Sequence, residues 1–202
     1  MSSDGPGKRS GRRPGATTTR EAIAEAARRQ FAELGYDRAT LRAIAGDAGV
    51  DPALVVRFYG SKDGLFREVM ALPPAVSDAI AGLAQGPKAT AGRRLATVIV
   101  GLLEDPRSRP IVIGRIRSAS SNPDAAALVR ETVTRDLGRL VSALTDDAPE
   151  TRAVLVGSQI VGLALARHVV RVEPLASLPA ADVVDYLAPV FQHYLVGTLK
   201  SD

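Results

Sequence analysis

The chain has 202 residues, 46% of them apolar, which is enough to bury one large core or two small ones and too apolar for a disordered polymer. It has no cysteine, which excludes disulfides and thiolate metal sites and fits a reducing compartment. The net charge of +4 sits in one place: residues 1–20 hold five basic side chains and one acidic, and the rest of the chain holds 21 of each sign.

That first segment, MSSDGPGKRSGRRPGATTTR, is rich in Gly, Pro and Ser. Over residues 1–16 it is expected to form a flexible basic arm, which either seeks phosphates through Lys8, Arg9, Arg12 and Arg13 or only aids solubility. It has no apolar stretch of the secretory kind, so the expected location is cytoplasmic.

Beyond the arm, no period-2 alternation marks a strand, whereas apolar residues recur at 3–4 spacing between Pro and Gly. The expected fold class is therefore all-α. A first helix is expected from the Thr18-x-x-Glu21 capping box, with Ile23, Ala27, Phe31 and Leu34 on one stripe and Gly35 just past its end. A second begins at Thr40. A third begins at Asp51-Pro52, where Asp caps and Pro loses nothing by lacking an N–H. A fourth runs from Ser61 to Met70 and stops before Pro73-Pro74.

Longer elements follow: about Ala75 to Gln85, and from Thr90 through Leu95, Val98, Ile99, Leu102 and Leu103. A short segment follows between Pro106 and Ser121, and Asn122-Pro123 opens a helix through Leu144. Two helices close the chain, about 150–170 and 178–199, the second with a kink expected at Pro189. The longest uncharged apolar run, Ala153 to Ala166, is 14 residues against the roughly 20 of a membrane span, so no membrane partner is expected. The earlier of the two is apolar on most faces, so both are expected to bury surface against a second copy of the chain.

Residues 41–55 satisfy the steric frame of a helix-turn-helix. The fifth position, where the helices cross, needs a small residue and has Ala45. The ninth favours φ > 0 and has Gly49, and the fifteenth packs back between the helices as Val55. Ile44, Ala48 and Val50 fill the remaining apolar positions.

The stretch TREAIAEAARRQFAELGYDRATLRAIAGDAGVDPALVVRFYGSKDGLF, residues 19–66, resembles the DNA-binding domain of TetR-family transcriptional regulators. The resemblance rests on Thr19-Arg20, Ala26-Ala27, Phe31, Gly35-Tyr36, Thr40, Ile44-Ala45, Gly49-Val50, Tyr59 and Ser61-Lys62. It implies a three-helix helix-turn-helix domain over 17–72 and a larger helical effector-binding and dimerisation domain over 73–202. The implied function is a homodimeric, ligand-responsive repressor on a palindromic operator, with double-stranded DNA as partner, no enzymatic activity and no cofactor.

The same resemblance assigns roles by position. Thr40 donates to a phosphate and Arg42 reaches a base edge. Pro52, Ala53 and Leu54 approach the groove floor, Arg57 and Phe58 flank it, and Lys62 clamps a phosphate. Val55 and Tyr59 face inward. Val56 stands where the family usually places a phosphate-binding tyrosine, and Leu54 where a polar residue is common. Both departures weaken the grip of this helix, and Lys8, Arg9, Arg12 and Arg13 are expected to compensate, by entering the minor groove. An effector pocket is implied among residues about 78–170, lined by Ala, Val, Leu and Ile, with an apolar effector.

Other chemistry-bearing residues read as structural. His168 and His193 lie on different helices without carboxylates at ligand spacing, so no metal site is expected. Asp146-Asp147 reads as a solvated turn, and Arg115 and Arg117 either line a pocket or face solvent, with solvent the favoured reading. An architectural DNA-binding dimer without effector and a small helical enzyme remain as rivals.

Overall fold

The computed structural model describes residues 14–199, and every element among them is helical. Helix α1 (Pro14–Arg38) begins a turn before the capping box at Thr18. Proline is well suited to a first turn, and from Ala16 onward no breaker separates it from the apolar stripe, so the box is interior rather than terminal. Near the end of α1, Gly35 adopts φ 76° and turns the chain sharply toward the next helix, a conformation that favours glycine.

The next three helices start where the sequence marks them. Thr40 caps α2 (Leu41–Asp47), its Oγ1 accepting from the Ala43 N–H at 3.1 Å. Asp51 caps α3 (Pro52–Tyr59), its Oδ1 accepting from the Ala53 N–H at 2.7 Å. Ser61 caps α4 (Lys62–Val69) through the Gly64 N–H at 3.0 Å. Between α2 and α3, Gly49 takes φ 66° and the Val50 N–H donates to the Ala45 carbonyl at 2.9 Å, closing the turn. Ile23, Ala27, Phe31, Ile44, Ala45, Val55, Leu65 and Phe66 form one core beneath these helices. Phe66 packs edge-on against Phe31 and Tyr36, with centroids 4.9 and 5.3 Å away, a geometry that suits the ring quadrupoles.

A second core is built by α5 (Pro74–Gly82, with a tight turn Leu83–Gln85), α6 (Ala91–Glu104), α9 (Gly138–Leu144), α10 (Pro149–Ala164) and α11 (Ala180–Val196), while α8 (Pro123–Glu131) packs Ala125 and Leu128 against the first. Asn122 caps α8 as expected. Wide π-helical turns carry α8 into α9 (Thr132–Leu137) and extend α10 (Leu165–Val170), and α11 runs as one helix through Pro189. α6 and α11 approach so closely that a Cβ on Gly92 would lie 2.3 Å from the Ala188 carbonyl oxygen. The Gly92 N–H instead donates to Gln192 Oε1 at 2.8 Å.

By length and composition alone, Pro149–Val170 could cross a membrane, because the helix continues through the Arg152 and Arg167 that bound the uncharged run. Both arginines are buried. Arg152 donates to the carbonyls of Asp147, Tyr194 and Gly197 and pairs with the Asp147 carboxylate, so that loop acid is engaged rather than simply solvated. Arg167 pairs with Glu104 at 2.9 Å.

Residues 106–121 are mostly helical. They contain α7 (Arg109–Ser118), which packs along α1 and places Ile113 in the second core. Gly114 also lets α7 lie against the end of α4: a Cβ there would sit 2.8 Å from Met70 Sδ. α7 therefore joins the two cores.

Candidate nucleic-acid interface

α3 shows one face to its own core and the other to solvent. Val55 and Tyr59, four residues apart, are buried, and the Tyr59 hydroxyl donates to the Arg20 carbonyl at 2.9 Å. Pro52, Ala53, Val56 and Arg57 are exposed, and Leu54 is half-buried. Val56 is 48% exposed, so an apolar side chain stands on the outward face with no packing to explain it. Phe58 is partly withdrawn and packs against the core with Leu41, Ala48 and Val50, which leaves less of it for the flank than the sequence suggests.

Around α3, the other expected contacts lie on the surface in different states. Thr40 and Arg42 are exposed at the start of α2, and Arg42 has no ion pair among the described residues. The Thr40 hydroxyl accepts in its capping bond and keeps its own proton to donate. Lys62 is half-buried: its Nζ lies 4.2 Å from the centre of the Tyr36 ring and 3.4 Å from the Asp37 carbonyl. Burial lowers its pKa from the ordinary lysine value, against the pull of Asp37 and Asp63. A phosphate clamp at Lys62 must draw the ammonium off that ring.

Tyr36 donates to the Asp63 carboxylate, and burial first, then that bond, push its pKa up to about 12. Arg20, one of the five basic residues that concentrate charge at the N-terminus, is held by Glu68, its Nη2 donating to both carboxylate oxygens at 2.7 and 2.9 Å. It is therefore a brace between α1 and α4 rather than a free charge. Lys8, Arg9, Arg12 and Arg13 lie outside the described residues.

Behind this unit, α5–α8 and α10 enclose a cavity of about 80 Å³. Its wall is aliphatic, including Ile80, Ile99, Leu103, Ile116, Val133 and Ile160, and Leu72 and Val76 extend it beyond the span expected from the sequence. Arg115 lines it too, which corrects the expectation that it faces solvent. It is 7% exposed, with Nε donating to the Met70 carbonyl at 2.5 Å and Nη1 to Thr132 Oγ1 at 3.1 Å. Arg117 is likewise drawn in, its aliphatic stem lying over Gly35. The reason is the position of α7: a helix sandwiched between two cores has almost no solvent face.

The histidines need one correction. His168 Nε2 is 3.9 Å from Glu104 Oε1, a carboxylate brought by α6 that sequence spacing does not reveal. Burial lowers the His168 pKa, with Glu104 opposing and Arg167 and Arg109 reinforcing. Among the described residues no three His, Asp or Glu side chains converge as a metal site.

These features have counterparts in known proteins. Residues 23–69 match the family described as bacterial regulatory proteins, tetR family, and residues 89–195 match the tetracyclin repressor-like C-terminal domain. The HTH-type transcriptional repressor AcnR of Corynebacterium glutamicum is 36% identical over 90 residues, 45% of this chain and 43% of that protein. The matched region thus spans less than half the length of this curated relative. Among solved structures, a TetR-family regulator from Streptomyces coelicolor is 38% identical, with 92% of this chain and 98% of that one aligned at a TM-score of 0.62. NalD of Pseudomonas aeruginosa, the secondary repressor of a multidrug efflux pump, shares the fold at a TM-score of 0.64 with 21% identity, over 90% of this chain and 98% of its own.

Proposed function

The chain belongs to the TetR family of bacterial regulatory proteins, and from that premise we propose that it is a homodimeric, effector-responsive repressor that reads a twofold-symmetric operator with α3. The observation that carries this reading is the division of α3. Val55 and Tyr59 anchor it to the core, and this fixes Pro52, Ala53, Val56 and Arg57 as an outward face sized for a major groove. Arg42 and Arg57 supply its positive charge, and the apolar residues suit thymine methyl groups. Because Val56 has no hydroxyl for a phosphate, Lys8, Arg9, Arg12 and Arg13 supply the missing backbone contacts. Such a regulator works beside the chromosome, in the cytoplasm, and needs no catalytic group.

Dimerisation through α10 and α11 is supported by what they leave uncovered. Val154 is 56% and Tyr186 69% exposed, and Gly162, on the same side of α10 as Val154 and Ser158, is open enough that a Cβ there would meet nothing within 4 Å. The face is small-residued and largely apolar, which suits close packing of a second copy.

The effector site in this reading is the cavity behind α7. Its volume of about 80 Å³ is below the roughly 300–1,000 Å³ of ordinary ligand pockets, so an effector must push its walls apart. One wall is α7, which also grips α1 and the end of α4, so expansion moves the DNA-reading unit and changes the separation of the two α3 helices from the 34–36 Å or so of successive grooves. Sedimentation velocity of the full chain with a duplex carrying its selected site tests the reading: two chains per duplex are expected, and one chain per duplex contradicts it.

A further inference from the structure

The cavity holds one charge and nothing that neutralises it. Four charged side chains are buried among the described residues: Arg115, Asp136, Arg152 and Arg167. Three have an ionic partner, Asp136 with Arg135, Arg152 with Asp147 and Arg167 with Glu104. Arg115 has a carbonyl and a hydroxyl, and no carboxylate within ion-pair distance among the described residues. Among those residues it is the only ionisable one lining the cavity, and Thr132 is the only other with a polar side chain. Two of its five N–H donors are engaged.

Burying a charge without a counterion is costly, and the cost is removed when a ligand brings one. Burial holds the pKa of the guanidinium down at about 10, and Glu131 and Asp136 oppose this only in part. Resting on the reading of this cavity as the effector site, we propose that its ligand is a small monocarboxylic acid, with the carboxylate on Arg115 and an aliphatic or single-ring body against Ile80, Ile99, Val133 and Ile160. The planar fork of a guanidinium matches a carboxylate bidentately. A phosphate or a dicarboxylate would bring more charge than one arginine answers, into walls that are otherwise hydrocarbon. The body is small because the space is small. The site is also placed for regulation, since the same guanidinium holds the Met70 carbonyl at the end of α4 through Nε.

Isothermal titration of the full chain with hexanoate, hexanamide and 1-hexanol tests the proposal. Hexanoate is expected to bind once per chain and roughly tenfold or more tighter than the other two, the usual advantage of a charged hydrogen-bonded pair. Arg115→Met is expected to abolish that preference, and Arg115→Lys, which keeps the charge but not the fork, to retain a weakened one. Ile160→Trp, which fills the cavity and leaves Arg115 in place, is expected to suppress hexanoate binding. If Arg115→Met does not fold, the wild-type series, the lysine variant and the tryptophan variant still decide. Equal binding of the three probes overturns the carboxylate assignment and leaves the effector reading intact. A hexanoate preference that survives Ile160→Trp also overturns it, by moving the site elsewhere. Binding of none of the three overturns it too. The effector reading then fails separately only if no compound of a larger apolar library shifts the DNA-bound fraction.

Discussion

Arg115 Nε donates to the Met70 carbonyl oxygen across 2.5 Å, and this single bond ties the wall of the cavity to the last turn of α4. Its energetic role differs from that of Arg152, which is as deeply buried but donates to three carbonyls and a carboxylate. Replacing Arg115 by Met loses two bonds and removes an uncompensated charge, effects of opposite sign. Replacing Arg152 by Met strips donors from three carbonyls at the junction of α10 and α11. Urea unfolding should therefore find Arg152→Met less stable than Arg115→Met by at least about 2 kcal/mol, at roughly 1 kcal/mol net per bond. Equal losses would mean that Arg115 carries no burial penalty.

Stability should depend on pH through His168. Its folded pKa is depressed by burial, so above the ordinary histidine value both folded and unfolded chains hold it neutral and no penalty exists. As pH falls below about 6.5 the unfolded chain takes the proton first, and stability drops, by at most about 1.4 kcal/mol per pH unit from this one group. Chemical unfolding between pH 7.5 and 5 should show this decline, and His168→Gln should flatten it. A slope unchanged in the variant would assign the decline to other groups.

Val56 and the arm make linked predictions for DNA binding. Val56→Tyr places a hydroxyl on the exposed face of α3 and should strengthen binding to the selected operator several-fold, read by fluorescence anisotropy. Deleting residues 1–13, which leaves α1 whole, removes Lys8, Arg9, Arg12 and Arg13. The plot of log affinity against log salt should become shallower by up to about 3–4, close to one for each phosphate that the arm neutralises. An unchanged slope would show that the arm neutralises none.

The uncovered face of α10 offers a clean separation of folding from assembly. Gly162 has open space around its Cβ position and Val154 is exposed, so Val154→Glu with Gly162→Arg is accommodated by a single chain. The double variant should keep its helical circular dichroism and sediment as a monomer, with operator affinity sharply reduced. A variant that remains dimeric would place the interface elsewhere.

What is legible in the sequence is local. The caps Thr40, Asp51, Ser61 and Asn122 act within a turn of the helix they start, so each can be read from a few residues. The same is true of Gly49 and of the four-residue spacing of Val55 and Tyr59. Two features are not legible, because each depends on a neighbour far away in sequence. α7 has apolar and basic residues interleaved without a stripe, since it is covered from both sides, and Arg115 and Arg117 therefore read as surface residues. Glu104 meets His168 and Arg167 only through the packing of α6 on the end of α10. The start of α1 departs from expectation for the opposite reason: the Thr18–Glu21 box is a sound local signal, overruled by a helix that is already running from Pro14. Of the candidate interface, the outward set on α3 is legible, while the withdrawal of Phe58 and the seat of Lys62 on Tyr36 are not.

Every role proposed for this chain depends on α3 of a symmetric dimer reading a defined DNA sequence. Selection of duplexes from a random pool by the full chain, repeated with Arg57→Ala, puts that dependence to the test. An enriched site with twofold symmetry is expected, its half-sites centred about one helical turn or a small multiple of it apart, with weaker or altered enrichment for the variant. Enrichment of no sequence, or of an asymmetric one that Arg57→Ala leaves unchanged, would refute it.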